Sequence, residues 1–260
     1  MRTARKVTRH LVSEGAKAVI LVGSRVRGDY HTESDIDIQA VGRRRIHRLE
    51  RIDGFLVSIA WKTERGMFRE LKSPSEAAGA VPAWRSAVVL HDPNGIAKAL
   101  KRASREWNWD VLGRGRDDWV AEEFTGWAEE VHRLVGSLRL GRPWAAAVTR
   151  SVLAIRLAPI LAVHHRIIYD TENNLWDFVG EKMGAEWSRA QSAALGTGGE
   201  TLQESCDAAL QLFVLAAMEL DDCLNERQRI VVKHACTIAR GMMEAPRDGR
   251  RLRRMKRSVS

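Results

Sequence analysis

Residues 18–41 read AVILVGSRVRGDYHTESDIDIQAV. Val19 to Val22 is a short, β-branched apolar run closed by Gly23, the pattern of a buried strand, and a second strand is expected over about Ser34 to Val41. Between them Gly23-Ser24 opens a tight turn, with Gly28 placed where a backbone can approach a ligand closely. A turn of this kind can aim free N–H groups at a phosphate. Arg25 and Arg27 flank it as candidate phosphate-holding cations. Asp35 and Asp37 are two apart on the second strand, so both carboxylates leave the same face, while Ile36 and Ile38 point the other way into a core. Two hard oxygen ligands beside a phosphate-binding turn suit Mg²⁺. A lone Asp-x-Asp would read as a hairpin with solvated acids; strand, Gly-Ser, Gly28 and second strand in this order set that reading aside.

Gly23-Ser24, ten intervening residues from Arg25 to Ser34, and then Asp35-Ile36-Asp37 resemble the signature of the DNA polymerase β-like nucleotidyltransferase superfamily. The helical second half looks like the kanamycin-type, small-molecule branch. The resemblance implies an α+β protein: a small mixed sheet with flanking helices, followed by an all-α bundle. It also implies Mg-ATP across Gly23-Ser24, with Asp35 and Asp37 as metal ligands and AMP passing to a hydroxyl of an aminoglycoside-like small molecule. In that branch the base is a Glu from the helical half. Glu122, Glu123, Glu129 and Glu130 are on offer, and Glu130 is preferred because it precedes the apolar Val131, Leu134 and Val135. Some relatives build the site across a dimer, so the resemblance allows a homodimer.

One position departs from the pattern. The family's third strand carries a third carboxylate in the middle of a V-E-V motif, whereas this chain has Val57-Ser58-Ile59 within the expected strand Phe55 to Lys62. Serine is a poor Mg²⁺ ligand, and Glu64 at the strand's end is the only nearby substitute. The departure motivates a second reading, a catalytically weak relative that binds nucleotide or a partner. A third reading, transfer to RNA or protein, is prompted only by a basic C-terminus.

At 260 residues with 45% hydrophobic and 29% charged side chains, the chain has room for one large core or two modest ones. The net charge of +9 is uneven: residues 247–260 carry seven Lys/Arg and one Asp, or +6, leaving about +3 for the rest. Those residues read as a basic, disordered tail, and nucleic acid is not otherwise an expected partner. Cys206, Cys223 and Cys236 have no C-x-x-C spacing, which fits a reduced, cytoplasmic protein. No uninterrupted apolar run reaches the length of a membrane helix.

Domain boundaries follow from where strands stop. Residues 1–107 mix helices and strands: a helix over Thr3 to Glu14, the two motif strands, a polar segment and turn through Gly54, the third strand, a short helix from Thr63, a buried strand from Ser86 to Leu90, and a helix over Ile96 to Trp107. Residues 108–116 carry two glycines and read as a linker, with Trp107 and Trp109 as packing residues. Residues 117–246 read as the acceptor-binding bundle: one long helix from Asp117 to about Leu140, another from Pro143, one from Glu172 capped by Thr171, and three more at 185–194, 200–224 and 226–244. Trp144, Trp176 and Trp187 are expected to pack.

Overall fold

The central strand of the sheet, Ala18–Val22, loses water on both faces because every second residue feeds a different core. The computed structural model describes residues 2–43 and 45–245; the expected basic tail at 247–260 lies outside the described residues. Among those residues the elements are α1 (Arg2–Ser13), β1 (Ala18–Val22), α2 (Ser24–Arg27), β2 (Ile36–Val41), β3 (Ile46–Ile52), β4 (Phe55–Lys62), α3 (Glu64–Glu70), α4 (Pro74–Ser86), β5 (Val88–His91), α5 (Ile96–Glu106), α6 (Gly115–Gly126), α7 (Ala128–Arg139), α8 (Pro143–His164), α9 (Glu172–Met183), α10 (Ala185–Leu195), α11 (Leu202–Glu219) and α12 (Glu226–Met243). The protein is therefore α+β, with a small mixed sheet followed by helices.

The strand order is β3-β4-β2-β1-β5, with β2 and β4 parallel and the other pairs antiparallel. On one side of the sheet Val19, Leu21, Ile36, Ile38, Val57, Ile59 and Trp61 pack with Ala4, Val7 and Leu11 of α1. Those α1 residues recur at helical spacing, which is why the segment folds as a helix against this face. On the other side Ala18, Ile20, Val22 and Val41 meet α3, α4 and α5 through Met67, Val81, Trp84 and Leu100. Asp37 belongs to this second side, so the face that carries the carboxylates is largely sheathed, and Asp37 itself is half-buried.

Several local expectations change. The polar segment before Asp53 is a strand, β3, hairpinned onto β4 through Asp53-Gly54, both at positive φ (51° and 87°). That is the conformation a two-residue type I′ turn requires. The expected buried strand from Ser86 is instead β5, an edge strand whose Val88 and Val89 are 37% and 39% exposed. Helix α4, unforeseen, starts on Pro74 at its first turn and continues past Pro82. The Asn108 side chain accepts from Asp110 N–H at the start of a single 3-10 turn over Trp109–Leu112. Trp107 is buried, donates Nε1–H to the Leu71 carbonyl at 2.6 Å, and meets Trp109 edge-on at 5.1 Å.

The chain divides into two compact units, Met1–Trp119 with Leu161–Lys182, and Val120–Ile160 with Met183–Ser260. Thus 161–182, expected within the bundle, belongs with the sheet: Tyr169 N–H donates to Ala78 O at 3.3 Å, and Ile168 packs on the α3–α5 side. In the second unit, α11 and α12 each begin with a reciprocal capping box, Thr201 with Glu204 and Asn225 with Gln228. Phe124 and Phe213 stack at 4.8 Å in its core. The expected long helix from Asp117 is two helices, α6 and α7, parted at Trp127 after Gly126, a weak helix former. Trp187 is buried as expected, but Trp144 is 86% exposed. Helix α8 is long and apolar enough to cross a membrane by length and composition, yet 56% of that stretch is buried within the protein.

Candidate active site

Gly23 ends β1 and Asp37 is the partner of Val22 across the β1–β2 ladder, so the turn and the acid are neighbours by register. The contact is tight. A Cβ on Gly23 would overlap Asp37 Oδ2 and lie 3.0 Å from its Cγ, and Gly23 has φ 81°. Only glycine satisfies both demands. From Ser24 the chain makes one helical turn, α2, closed by Gly28 at φ 93°, whose N–H donates to Ser24 O at 2.8 Å. A Cβ at Gly28 would meet no protein atom within 4 Å, so within the protein the position's requirement is the left-handed backbone. The N–H groups of Ser24 and Arg25 open the turn, where a helix supplies no acceptor of its own.

Arg25 is committed partly to the loop. Its Nε and Nη2 donate to the carbonyls of Asp35 and Ser34 at 2.9 and 2.6 Å, and its guanidinium lies over the rings of Tyr30 and Phe55 at 5.2 and 4.9 Å. It thereby fixes the backbone that carries Asp35. Arg27 pairs with Asp29 at 3.1 Å and lies 3.8 Å from Asp170, a residue from the returning segment of the same unit. Asp35 immediately precedes β2 and Asp37 is its second residue.

Burial pushes the Asp37 carboxyl above its ordinary range, and the neighbouring Asp35 charge pushes the same way; the Ser58 hydroxyl, Arg27 and His47 draw it back down. Two acids held in mutual repulsion, one of them partly desolvated, are the donor set that a divalent cation relieves. Gln39, next on the same face of β2, has a buried Oε1 without a hydrogen-bond partner. An orphaned acceptor one step along the strand from Asp37 leaves a polar group on the carboxylates' face that the protein itself does not satisfy. These residues therefore fit the Mg²⁺ that the resemblance implies.

Ser58 stands opposite Asp37 in the parallel β2–β4 ladder. The position that would carry a third carboxylate is thus aligned, and it is occupied by a hydroxyl. Glu64 is exposed in the first turn of α3. The residue that sequence reasoning missed is His47, whose Nε2 lies 3.1 Å from Ser58 Oγ. Its strand, an edge with exposed Ile46 and Leu49, carries no apolar alternation that would have revealed it. Glu130 lies in the second unit on α7, its side chain mostly buried and paired with Arg133 at 2.7 Å. Glu129 is exposed and also bonds Arg133.

No curated protein matches the chain. In fold it is similar to a nucleotidyltransferase-like protein from Exiguobacterium sibiricum, with a TM-score of 0.50 at 16% identity, over 99% of this chain and 79% of that one. Residues 1–71 match the sequence family of the nucleotidyltransferase domain, and it is this segment that holds Gly23, Ser24, Asp35, Asp37 and Ser58.

Proposed function

We propose that the chain transfers a nucleoside monophosphate, AMP from ATP, to a hydroxyl of a small polycationic molecule of the aminoglycoside kind. The observation that carries this reading is the contact of Gly23 with Asp37, which sets the phosphate turn and the carboxylate pair against one another. Asp35 and Asp37 would hold a divalent ion, which when bound supplies positive charge to the triphosphate. Ser24 and Arg25 N–H groups would face the phosphates, with Arg27 as counter-charge. The acceptor oxygen forms a bond to the α-phosphorus while the bond from that phosphorus to the bridging oxygen breaks, and pyrophosphate leaves. The resemblance implies a Glu from the helical half for the hydroxyl proton, and Glu130 is the preferred candidate.

The test is pyrophosphate release from ATP and Mg²⁺ across a panel of aminoglycosides and related amino sugars. Release with at least one acceptor, and a matching mass gain on it, is the expected result. Tight nucleotide binding without release from any acceptor would instead favour a weak, nucleotide-binding relative.

A second reading, an RNA acceptor, is favoured by one feature. A groove of about 530 Å³ beside β5 is lined by Lys98, Lys101, Arg102 and Arg105 from α5, with Glu106 as the acid among its lining residues. Lys101 already donates to the Ala87 carbonyl, and burial, then Arg105, lowers its pKa. Phosphodiester oxygens would relieve that crowding. On this reading, Arg102→Glu with Arg105→Glu weakens binding of single-stranded RNA and lowers its salt slope by roughly one for each phosphate no longer neutralised. Binding indifferent to both reversals would dismiss the RNA reading.

A further inference from the structure

We propose that Ser58 and His47 form the outer shell of a one-cation site: His47 fixes the Ser58 hydroxyl, the hydroxyl fixes Asp37, and a single divalent ion is held. This rests on the nucleotidyl-transfer reading for the presence of the ion, and adds to it the number of ions and the residues that orient their ligand.

The geometry comes from the strand ladder. Ser58 faces Asp37 directly across β2–β4, and His47 faces Ala60 across β3–β4, one diagonal step from Ser58 on the same side of the sheet. Hydrogen-bond logic then fixes every proton. Ser58 stands opposite Asp37 and draws its pKa down, and an ionised carboxylate only accepts, so the hydroxyl is the group placed to donate to Asp37. Its oxygen is left to accept, and the group 3.1 Å away is His47 Nε2. Nε2 therefore carries a hydrogen, and in neutral His47 the lone pair sits on Nδ1.

The charges agree with one ion. Asp35 and Asp37 together balance one divalent cation. Among the described residues no third His, Cys, Asp or Glu completes a ligand set with both of them. A second cation would find no third protein carboxylate, since the position opposite Asp37 is the neutral Ser58. A hydroxyl–imidazole pair instead does what outer-shell partners do elsewhere: it holds the ligand's orientation without adding charge.

The experiment counts Mn²⁺ per bound nucleotide by electron paramagnetic resonance, using the full chain with a non-hydrolysable ATP analogue. The parent protein is expected to hold one ion in total per bound analogue. Ser58→Ala and His47→Ala are each expected to weaken Mn²⁺ binding about 10- to 100-fold. Ser58→Thr, which keeps the hydroxyl, and His47→Gln, whose Nε2–H reaches to a similar point, are expected to restore it. That rescue separates positioning from general damage to the sheet, which thermal melts of each variant also monitor. Uptake of two ions by the parent, or affinity indifferent to both alanine variants, overturns this inference alone. A parent chain that binds neither analogue nor Mn²⁺ overturns the transfer reading and this inference with it.

Discussion

Gly23→Ala is expected to cut nucleotidyl transfer by about 10²-fold or more while leaving the chain folded. Two separate effects act at this position. The first is backbone: at φ 81° and ψ −166° Gly23 lies in a region essentially confined to glycine, where an L-residue costs about 1–3 kcal/mol. The second is steric and falls on the chemistry, because the added methyl overlaps Asp37 Oδ2. Rotation of the carboxylate clears its oxygen, but Asp37 Cβ, 3.1 Å from the added methyl, is fixed to β2, so the strand must also give by a few tenths of an ångström. A displacement of about 1 Å in a reacting constellation is enough for a 10²-fold loss. Gly28→Ala is the comparison. Its backbone is left-handed, at φ 93° and ψ 4°, which an L-residue tolerates more readily than the Gly23 conformation, and its methyl meets no protein atom within 4 Å. Rates and Mn²⁺ affinity measured side by side should therefore separate the two. A Gly23→Ala variant that keeps the parent's Mn²⁺ affinity and rate would mean that the Gly23–Asp37 contact is incidental.

The contrast between these two glycines also shows what a sequence can carry. Both are legible as turn residues, since Gly-Ser and Gly28 punctuate an apolar run. Which of them touches a carboxylate depends on the β1–β2 register, and only the folded ladder supplies it. Strands β1 and β2 are readable because they are buried and their side chains announce it. Strand β3 is not, since it lies at an edge, exposes Leu49 and Ile46, and exists because Asp53-Gly54 folds it back on β4. With β3 unread, His47 has no reason to stand out. Helix α4 hides for another reason: its buried stripe is largely small, Ala77, Ala78 and Val81 before Trp84, and Pro82 interrupts it. Trp144 defies expectation because tryptophan usually packs, whereas here it sits near the start of α8 facing solvent. The Ser58 alignment, by contrast, is readable from the resembled V-E-V pattern with alternation in support, and the ladder places Ser58 opposite Asp37.

Asp37→Asn should separate function from stability in opposite directions. Transfer is expected to fall at least about 10³-fold, on the order of 4 kcal/mol of transition-state stabilisation, because an amide cannot replace the anionic ligand. Folding stability without metal should rise at neutral pH. Burial first, and then Asp35, raise the Asp37 pKa in the folded chain above the unfolded value of 3.8. The folded state thus binds this proton more tightly than the unfolded state does, so stability declines as pH climbs from 3.8 through the raised value. Above that window the ionised carboxylate opposes folding, and asparagine removes the charge while keeping the shape. Thermal melts in chelator should show the parent losing stability across this window and the variant losing less, so that the variant melts higher at pH 7. Adding Mn²⁺ with a non-hydrolysable ATP analogue should reverse the order, since ligand binding stabilises only the chain that retains both carboxylates. A variant that melts lower than the parent in chelator would mean that Asp37 is a structural partner in the sheet, and a variant still stabilised by Mn²⁺ as strongly as the parent would remove Asp37 from the metal site.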